Sequence, residues 1–226
     1  MNDQAHQPVP LRIDFVSDIV CPWCAIGLAA LEQALGRVAG EVQAEIHFQP
    51  FELNPQMPAE GEDITEHLQR KYGLSEAQLA ENQERIRERG AELGFTFTMG
   101  ARRRTYNTFD AHRLLHWAGQ EGEGKQAALK HALLAAYFTD GKDVSHRATL
   151  LDIAQTVGLP VERARQVLTS DEFSADVRAD EARYRRNGIS AVPAVIINQR
   201  HLLSGGQPVE VFERALRQAA QAGDAR

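Results

Sequence analysis

Cys21 and Cys24 are the only cysteines in the 226 residues, and they stand three apart in the run Cys21-Pro22-Trp23-Cys24. Two cysteines placed at random would take that spacing in about one chain in a hundred, so the pair points to thiol chemistry. Disulfide exchange uses one thiolate to attack a disulfide and a second thiol to resolve the mixed disulfide that results. Structural zinc is the other chemistry of such a pair, but it needs about four Cys or His ligands, and no second Cys-x-x-Cys or His-x-x-x-His knuckle lies near the first. His112 and His116 do stand four apart on one helix face. No acidic or thiol partner accompanies them in the sequence, so they read as core or surface histidines rather than metal ligands.

The elements around the pair position it. Leu11, Ile13 and Phe15 alternate with Arg12 and Asp14, the pattern of a short half-buried strand. Ile26, Leu28, Leu31, Leu35 and Val38 keep helical spacing, and Gly40 closes that helix. Val42, Ala44, Ile46 and Phe48 alternate again as a second strand, parallel to the first across a right-handed crossover. The cysteines therefore sit at the first strand-to-helix turn. There the unpaired N–H groups and the helix dipole favour negative charge on Cys21, with Cys24 one turn further along the same face. Pro22 suits the first helical turn, where its missing N–H costs nothing. Trp23 offers a flat apolar surface for a peptide or a small aromatic substrate, or simply covers the helix end.

From residue 63 to residue 187 the pattern is helical almost throughout. Leu79, Ile86 and Leu93 mark a charged helix ending at Gly94. Further helices are expected from Thr105 to Trp117, from Ala127 to Phe138, from a Ser145 cap to Gly158, from Pro160, and from Ser170 or Asp171 to Gly188. Asn107 or Thr108 caps the first of these. Then Val192 to Ile197 forms a buried strand, Gln199-Arg200 a tight turn, His201 to Leu203 a second strand, and Val209, Phe212 and Leu216 a final amphipathic helix. Pro193 opens a buried strand although it donates no ladder hydrogen bond, and a trans proline at a strand edge is enough to explain it. The expected organisation is a disordered tail over 1–10, a discontinuous α/β domain over 11–62 and 188–222, and an inserted helical subdomain over 63–187.

Net charge is −6 and the sequence pI about 5.8, which argues against nucleic acid as a partner; the run Arg102-Arg103-Arg104 reads as a solvated turn. No apolar stretch approaches the roughly 18 residues of a membrane span. The N-terminus carries no secretory signal pattern, so a cytoplasmic location is expected, where thiols are kept reduced and a cysteine pair is catalytic rather than structural.

Four motifs then carry a resemblance. They are Ser17-Asp18-Ile19-Val20-Cys21-Pro22-Trp23-Cys24, Phe51-Glu52-Leu53-Asn54-Pro55, Asn107-Thr108-Phe109-Asp110-Ala111-His112-Arg113-Leu114 and Gly188-Ile189-Ser190-Ala191-Val192-Pro193. Together they resemble the DsbA-like branch of the thioredoxin superfamily, and within it the FrnE-type group, which is similar to 2-hydroxychromene-2-carboxylate isomerases and kappa-class glutathione transferases. The resemblance covers residues 11 to 218. It implies a thioredoxin fold of four or five strands with a large all-helical insertion, and a thiol–disulfide oxidoreductase. It makes Cys21 the nucleophile, Cys24 the resolving thiol and Val192-cis-Pro193 the substrate-facing turn. It places Asn107 near the active-site mouth as a substrate contact and Asp14 or Asp18 as a proton relay to Cys24. It also implies a disulfide-containing protein or small-molecule substrate, an unidentified thiol reductant or oxidant, no tightly bound cofactor, glutathione as an optional co-substrate, and the option of a homodimer. Its periplasmic members usually carry His where Trp23 stands, so a strong secretory oxidant is not expected. The competing expectation is a glutathione-dependent isomerase or transferase on an aromatic or polyketide-like substrate. Retention of both cysteines favours the redox reading, since a resolving thiol is superfluous in an isomerase.

Overall fold

Alternation and helical spacing in the sequence resolve, in a computed structural model that describes residues 7–224, into the following chain order. β1 (Val9–Ser17), α1 (Pro22–Arg37) and β2 (Val42–Pro50) open the fold. β3 (Glu62–Asp63), α2 (Ile64–Tyr72), α3 (Glu76–Glu92), β4 (Arg104–Thr105), α4 (Phe109–Ala118), α5 (Lys125–Phe138), α6 (Arg147–Thr156), α7 (Val161–Thr169) and α8 (Ser174–Arg186) form the middle. β5 (Ala194–Ile197), β6 (His201–Ser204) and α9 (Val209–Asp224) close it. The sheet runs β2-β1-β5-β6, with β1 and β2 parallel and the remaining pairs antiparallel.

The period of two decides which side chains meet which layer. Leu11, Ile13, Phe15, Val195 and Ile197 join the core with α1 and α9. Val16, Ala194 and Ile196 face the other way, against Tyr184 of α8 and Ile189. β1 therefore lies between two layers and is buried continuously from Ile13 to Ser17, not half-buried as its alternation suggested. Asp14 tolerates that position because its Oδ1 accepts hydrogen bonds from Gln49 and Arg12, each at 2.8 Å. On the outer edge of the sheet, the Gln126 side chain closes β2 at Phe48: its Oε1 accepts from Phe48 N (2.9 Å) and its Nε2 donates to Phe48 O (3.1 Å).

Several local expectations change. Val9 and Pro10 belong to β1, with Val9 N bonded to Glu41 O at 3.0 Å, so the part of the expected tail that is described from here on is ordered; residues 1–6 lie outside the described residues. The middle is not purely helical. β3 and β4 form a two-residue antiparallel ribbon, to which Tyr137 Oη donates through Arg104 O (3.1 Å), and this takes Thr105 out of the following helix. α4 begins instead at Phe109, whose N–H is capped by Asn107 Oδ1 at 2.9 Å. Asp143, not Ser145, organises the turn before α6, because its Oδ1 accepts from Ser145 N (2.8 Å), Ser145 Oγ (2.6 Å) and His146 N (3.2 Å). Ser170 ends α7 through Gln166 O (2.8 Å) rather than starting α8. Buried Arg113 gathers the carbonyls of Val167, Ser170 and Glu172, so the chain re-enters a helix only at Ser174. The β5–β6 turn uses Asn198 (φ 50°) and Gln199 (φ 59°). Both being left-handed is what a type I′ turn requires, and the Arg200 N–H closes it on Ile197 O at 3.0 Å. No helix among the described residues is long and apolar enough to cross a membrane.

Candidate active site

Cys21 is the N-cap of α1 (φ −93°, ψ 112°) and Pro22 occupies the first turn. The Cys24 N–H donates to Cys21 O at 3.0 Å, which winds Cys24 into the first turn of α1. Cys21 keeps 5% exposure and Cys24 none, so a substrate reaches only the first sulfur. Burial, reinforced by the hydrogen bond and charge of Cys21, holds the Cys24 thiol well above its ordinary range, while Lys130 works in the opposite direction.

The Val192–Pro193 peptide is cis, and the Cys21 thiol donates to Val192 O at 3.7 Å across 171 residues of sequence. Two glycines make this approach sterically accessible. A Cβ on Gly27 would come within 2.9 Å of Pro193 Cγ, and one on Gly206 within 3.1 Å of Trp23 O and 3.3 Å of its ring. Trp23 is partly buried, packed on Gly206 and on the main core, so it covers the helix end while one part stays accessible.

The remaining expected residues separate. Asp14 is engaged by Arg12 and Gln49 within the sheet, whereas Asp18 is wholly buried in the loop before Cys21, and its backbone carbonyl accepts from Cys21 N at 3.4 Å. Burial opposes charge on Asp18, but the His112 ring, the Leu53 N–H at 2.7 Å and the Thr108 hydroxyl outweigh it and hold the carboxyl below its usual range. His112 is buried, with Nε2 3.4 Å from Asp18 Oδ1, inside ion-pair reach but without hydrogen-bond geometry. His116 faces elsewhere, 3.8 Å from Asp180 and packed on Phe173. Among the described residues no three His, Cys, Asp or Glu side chains gather as a metal site. Asn107 caps α4 and donates to Glu52 Oε1 at 3.4 Å.

Other buried charges went unread in the sequence, Glu52 and Lys130 among them. Glu52 is held by Arg178, which also binds Glu181 Oε2 at 2.8 Å, and this ties the loop after β2 to α8. Lys130 is wholly buried in α5 and exchanges electrostatic influence with Cys24, Asp18 and Cys21. Its signal was available: residue 130 stands three and four places before buried Leu133 and Leu134 and seven before Tyr137, on the apolar stripe of the helix.

Comparisons agree with this geometry. A family model described as the DSBA-like thioredoxin domain matches residues 12–217. The crystal structure of the probable DsbA oxidoreductase SCO1869 from Streptomyces coelicolor superposes with a TM-score of 0.86 at 33% identity, covering 92% of this chain and 89% of that one. The uncharacterized protein YwbO of Bacillus subtilis (strain 168) is 26% identical over 208 residues, covering 91% of this chain and 96% of its own length. The cytosolic disulfide reductase DsbM from Pseudomonas aeruginosa, solved with GSH, shares the fold at a TM-score of 0.63 and 17% identity, covering 93% of this chain and 99% of that one.

Proposed function

The chain belongs to the DsbA-like thioredoxin domain family, the thiol–disulfide oxidoreductases, and from that premise we propose that Cys21 and Cys24 form a dithiol that exchanges with disulfides of proteins or small molecules. Cys21 as thiolate attacks one sulfur of the substrate disulfide and releases the other as a thiolate. Cys24, once deprotonated, attacks Cys21 Sγ, which forms the Cys21–Cys24 disulfide and frees the second substrate thiol. One observation carries the assignment of roles: the Cys21 sulfur faces Val192 O at 3.7 Å and its residue keeps 5% exposure, while Cys24 has none. The exposed part of Trp23 and the Val192 backbone supply an apolar wall and a hydrogen-bonding edge for an extended substrate.

We assign glutathione as the recycling thiol and the cytoplasm as the location. The supports are a lone dithiol in an otherwise cysteine-free chain and the fold shared with a reductase named as cytosolic and solved with GSH. The isomerase alternative leaves Cys24 without a task. Insulin reduction tests the assignment. Cys21→Ser abolishes turnover, and Cys24→Ser accumulates mixed disulfides in cell extract whose mass identifies glutathione or a protein client. Undiminished turnover in Cys21→Ser removes the dithiol mechanism.

A further inference from the structure

The Val192 turn is held from two sides. After it, Pro193 O accepts from Gly205 N at 2.8 Å and Ala194 pairs with Val16 of β1, so the sheet fixes the following residues. Before it, α8 ends in a tight cap. Gly188 (φ 85°) donates to Arg185 O and Ile189 N donates to Tyr184 O, each at 3.0 Å. Only Ser190 and Ala191 separate that cap from Val192. The placement of α8 therefore sets the placement of the turn. Val192 also packs against Tyr184, Ile189, Val16 and Phe51, a small cluster apart from the main core.

The loop Phe51-Glu52-Leu53 is what holds α8. Glu52 N donates to Glu181 Oε1 at 3.1 Å. Arg185 donates to Glu52 O at 3.3 Å and lies 5.2 Å from the centre of the Phe51 ring. Arg178 joins the Glu52 and Glu181 carboxylates, and its guanidinium stacks 3.8 Å from the ring centre of Phe109 at the start of α4. The same loop is bonded to the dithiol side. Leu53 N donates to Asp18 Oδ2 at 2.7 Å, and Asp18 O accepts from Cys21 N at 3.4 Å. The contacts close a ring, from Cys21 through Asp18, the loop and α8 to Val192, whose carbonyl meets Cys21 Sγ at 3.7 Å. Within that ring the Glu52 side chain is wholly buried and that of Glu181 is 3% exposed, yet they share one cation that is 47% exposed. Two buried carboxylates on one half-solvated guanidinium are a poor source of stability, but the rigid fork of that guanidinium fixes geometry well.

We propose that Arg178 is a positioning residue for extended substrates: it locks the Phe51-Glu52-Leu53 loop to α8 and so sets the span between Cys21 and the backbone edge of Val192. The inference rests on the dithiol mechanism above and narrows its substrate to a polypeptide disulfide. A compact disulfide needs only Cys21 in order to react. A disulfide within an extended chain also needs its backbone beside Val192 while its sulfur is in line with Cys21. Both conditions are met together at one separation of the two groups, and the ring of contacts fixes that separation. The ion pairs of Arg178 go to Glu52 and Glu181, so it acts through the loop and α8.

The test compares two disulfides on the full-length protein, with dithiothreitol as the reductant. One is a linear peptide disulfide with several residues on each side of its sulfur. The other is hydroxyethyl disulfide, which has no backbone to place. In Arg178→Met the KM for the peptide rises about tenfold, the scale of one hydrogen bond lost, while kcat stays within about twofold of wild type. The kcat/KM for hydroxyethyl disulfide keeps its wild-type value. Arg178→Met leaves two buried carboxylates without their cation. If it does not fold, Arg178→Lys carries the test, because an ammonium cannot span both carboxylates as the planar fork does. Its KM for the peptide rises by a smaller factor, with the same split between the two substrates. A folded variant that loses activity equally on both disulfides, or on neither, overturns the positioning role. A wild-type protein that reduces neither disulfide overturns the dithiol mechanism instead.

Discussion

Glu52 is a carboxylate that must share its cation. Arg178 bonds both Glu52 and Glu181, while the Glu52 N–H donates to Glu181 Oε1 at 3.1 Å. Burial pushes the Glu52 carboxyl above its ordinary 4.5; Arg178 opposes that shift and the Glu181 charge adds to it. A carboxyl raised in the folded state favours folding at low pH and loses that contribution as pH rises through its folded value. As pH falls from neutrality towards 4.5 the wild type should therefore gain Tm relative to Glu52→Gln, and parallel Tm–pH curves would contradict the shift. Asp18, displaced downward from 3.8, acts with the opposite sign and only at more acidic pH, so the two do not cancel in that window. At this scale the sequence was uneven. Cys21, Cys24 and Pro193 stood out because their types are rare or awkward where they occur. Choosing between Asp14 and Asp18, or noticing Lys130, requires knowing which side chains the helical middle brings over the sheet, and spacing along one strand does not contain that.

At the scale of elements, the site is the meeting of α1 with the β5 entry loop, and Gly27 sets how closely they approach. Alanine in a helix interior is ordinarily favoured over glycine by about 1 kcal/mol. At position 27 the added methyl would meet the rigid Pro193 ring at 2.9 Å and Gly206 Cα at 3.4 Å, so the loop must move away from Cys21. Gly36 lies on the same helix with nothing within 4 Å of its added methyl. Gly36→Ala should raise stability by up to about 1 kcal/mol with unchanged activity. Gly27→Ala should gain nothing in chemical denaturation and slow the attack of Cys21 about tenfold. Equal behaviour of the two variants would show that the close approach is not needed. The elements themselves were legible where periodicity runs unbroken, as in β1, α1, β2, β5 and α9. Their boundaries were not legible where a distant side chain settles them. Arg113 ends α7 by collecting carbonyls, and a two-residue ribbon claims Thr105; neither partner is a neighbour in sequence.

For the whole molecule, the division into a discontinuous α/β part and an inserted helical part describes chain order more than packing. One cluster of buried residues runs from Ile13, Phe15 and Leu28 through Leu114, Leu133 and Tyr137 to Ile153, Val167 and Phe212. A core shared in this way is expected to melt as one unit. Far-ultraviolet and near-ultraviolet circular dichroism should give coincident thermal transitions, and a separate helical transition would show two independent units. The outer rim of this sheet adds a last point. Because the Gln126 amide occupies both the N–H and the C=O of Phe48, it stands where a further strand would lie. An extended chain cannot zip along β2 past that residue. One side chain thus closes this edge of the sheet against pairing with a strand of another chain.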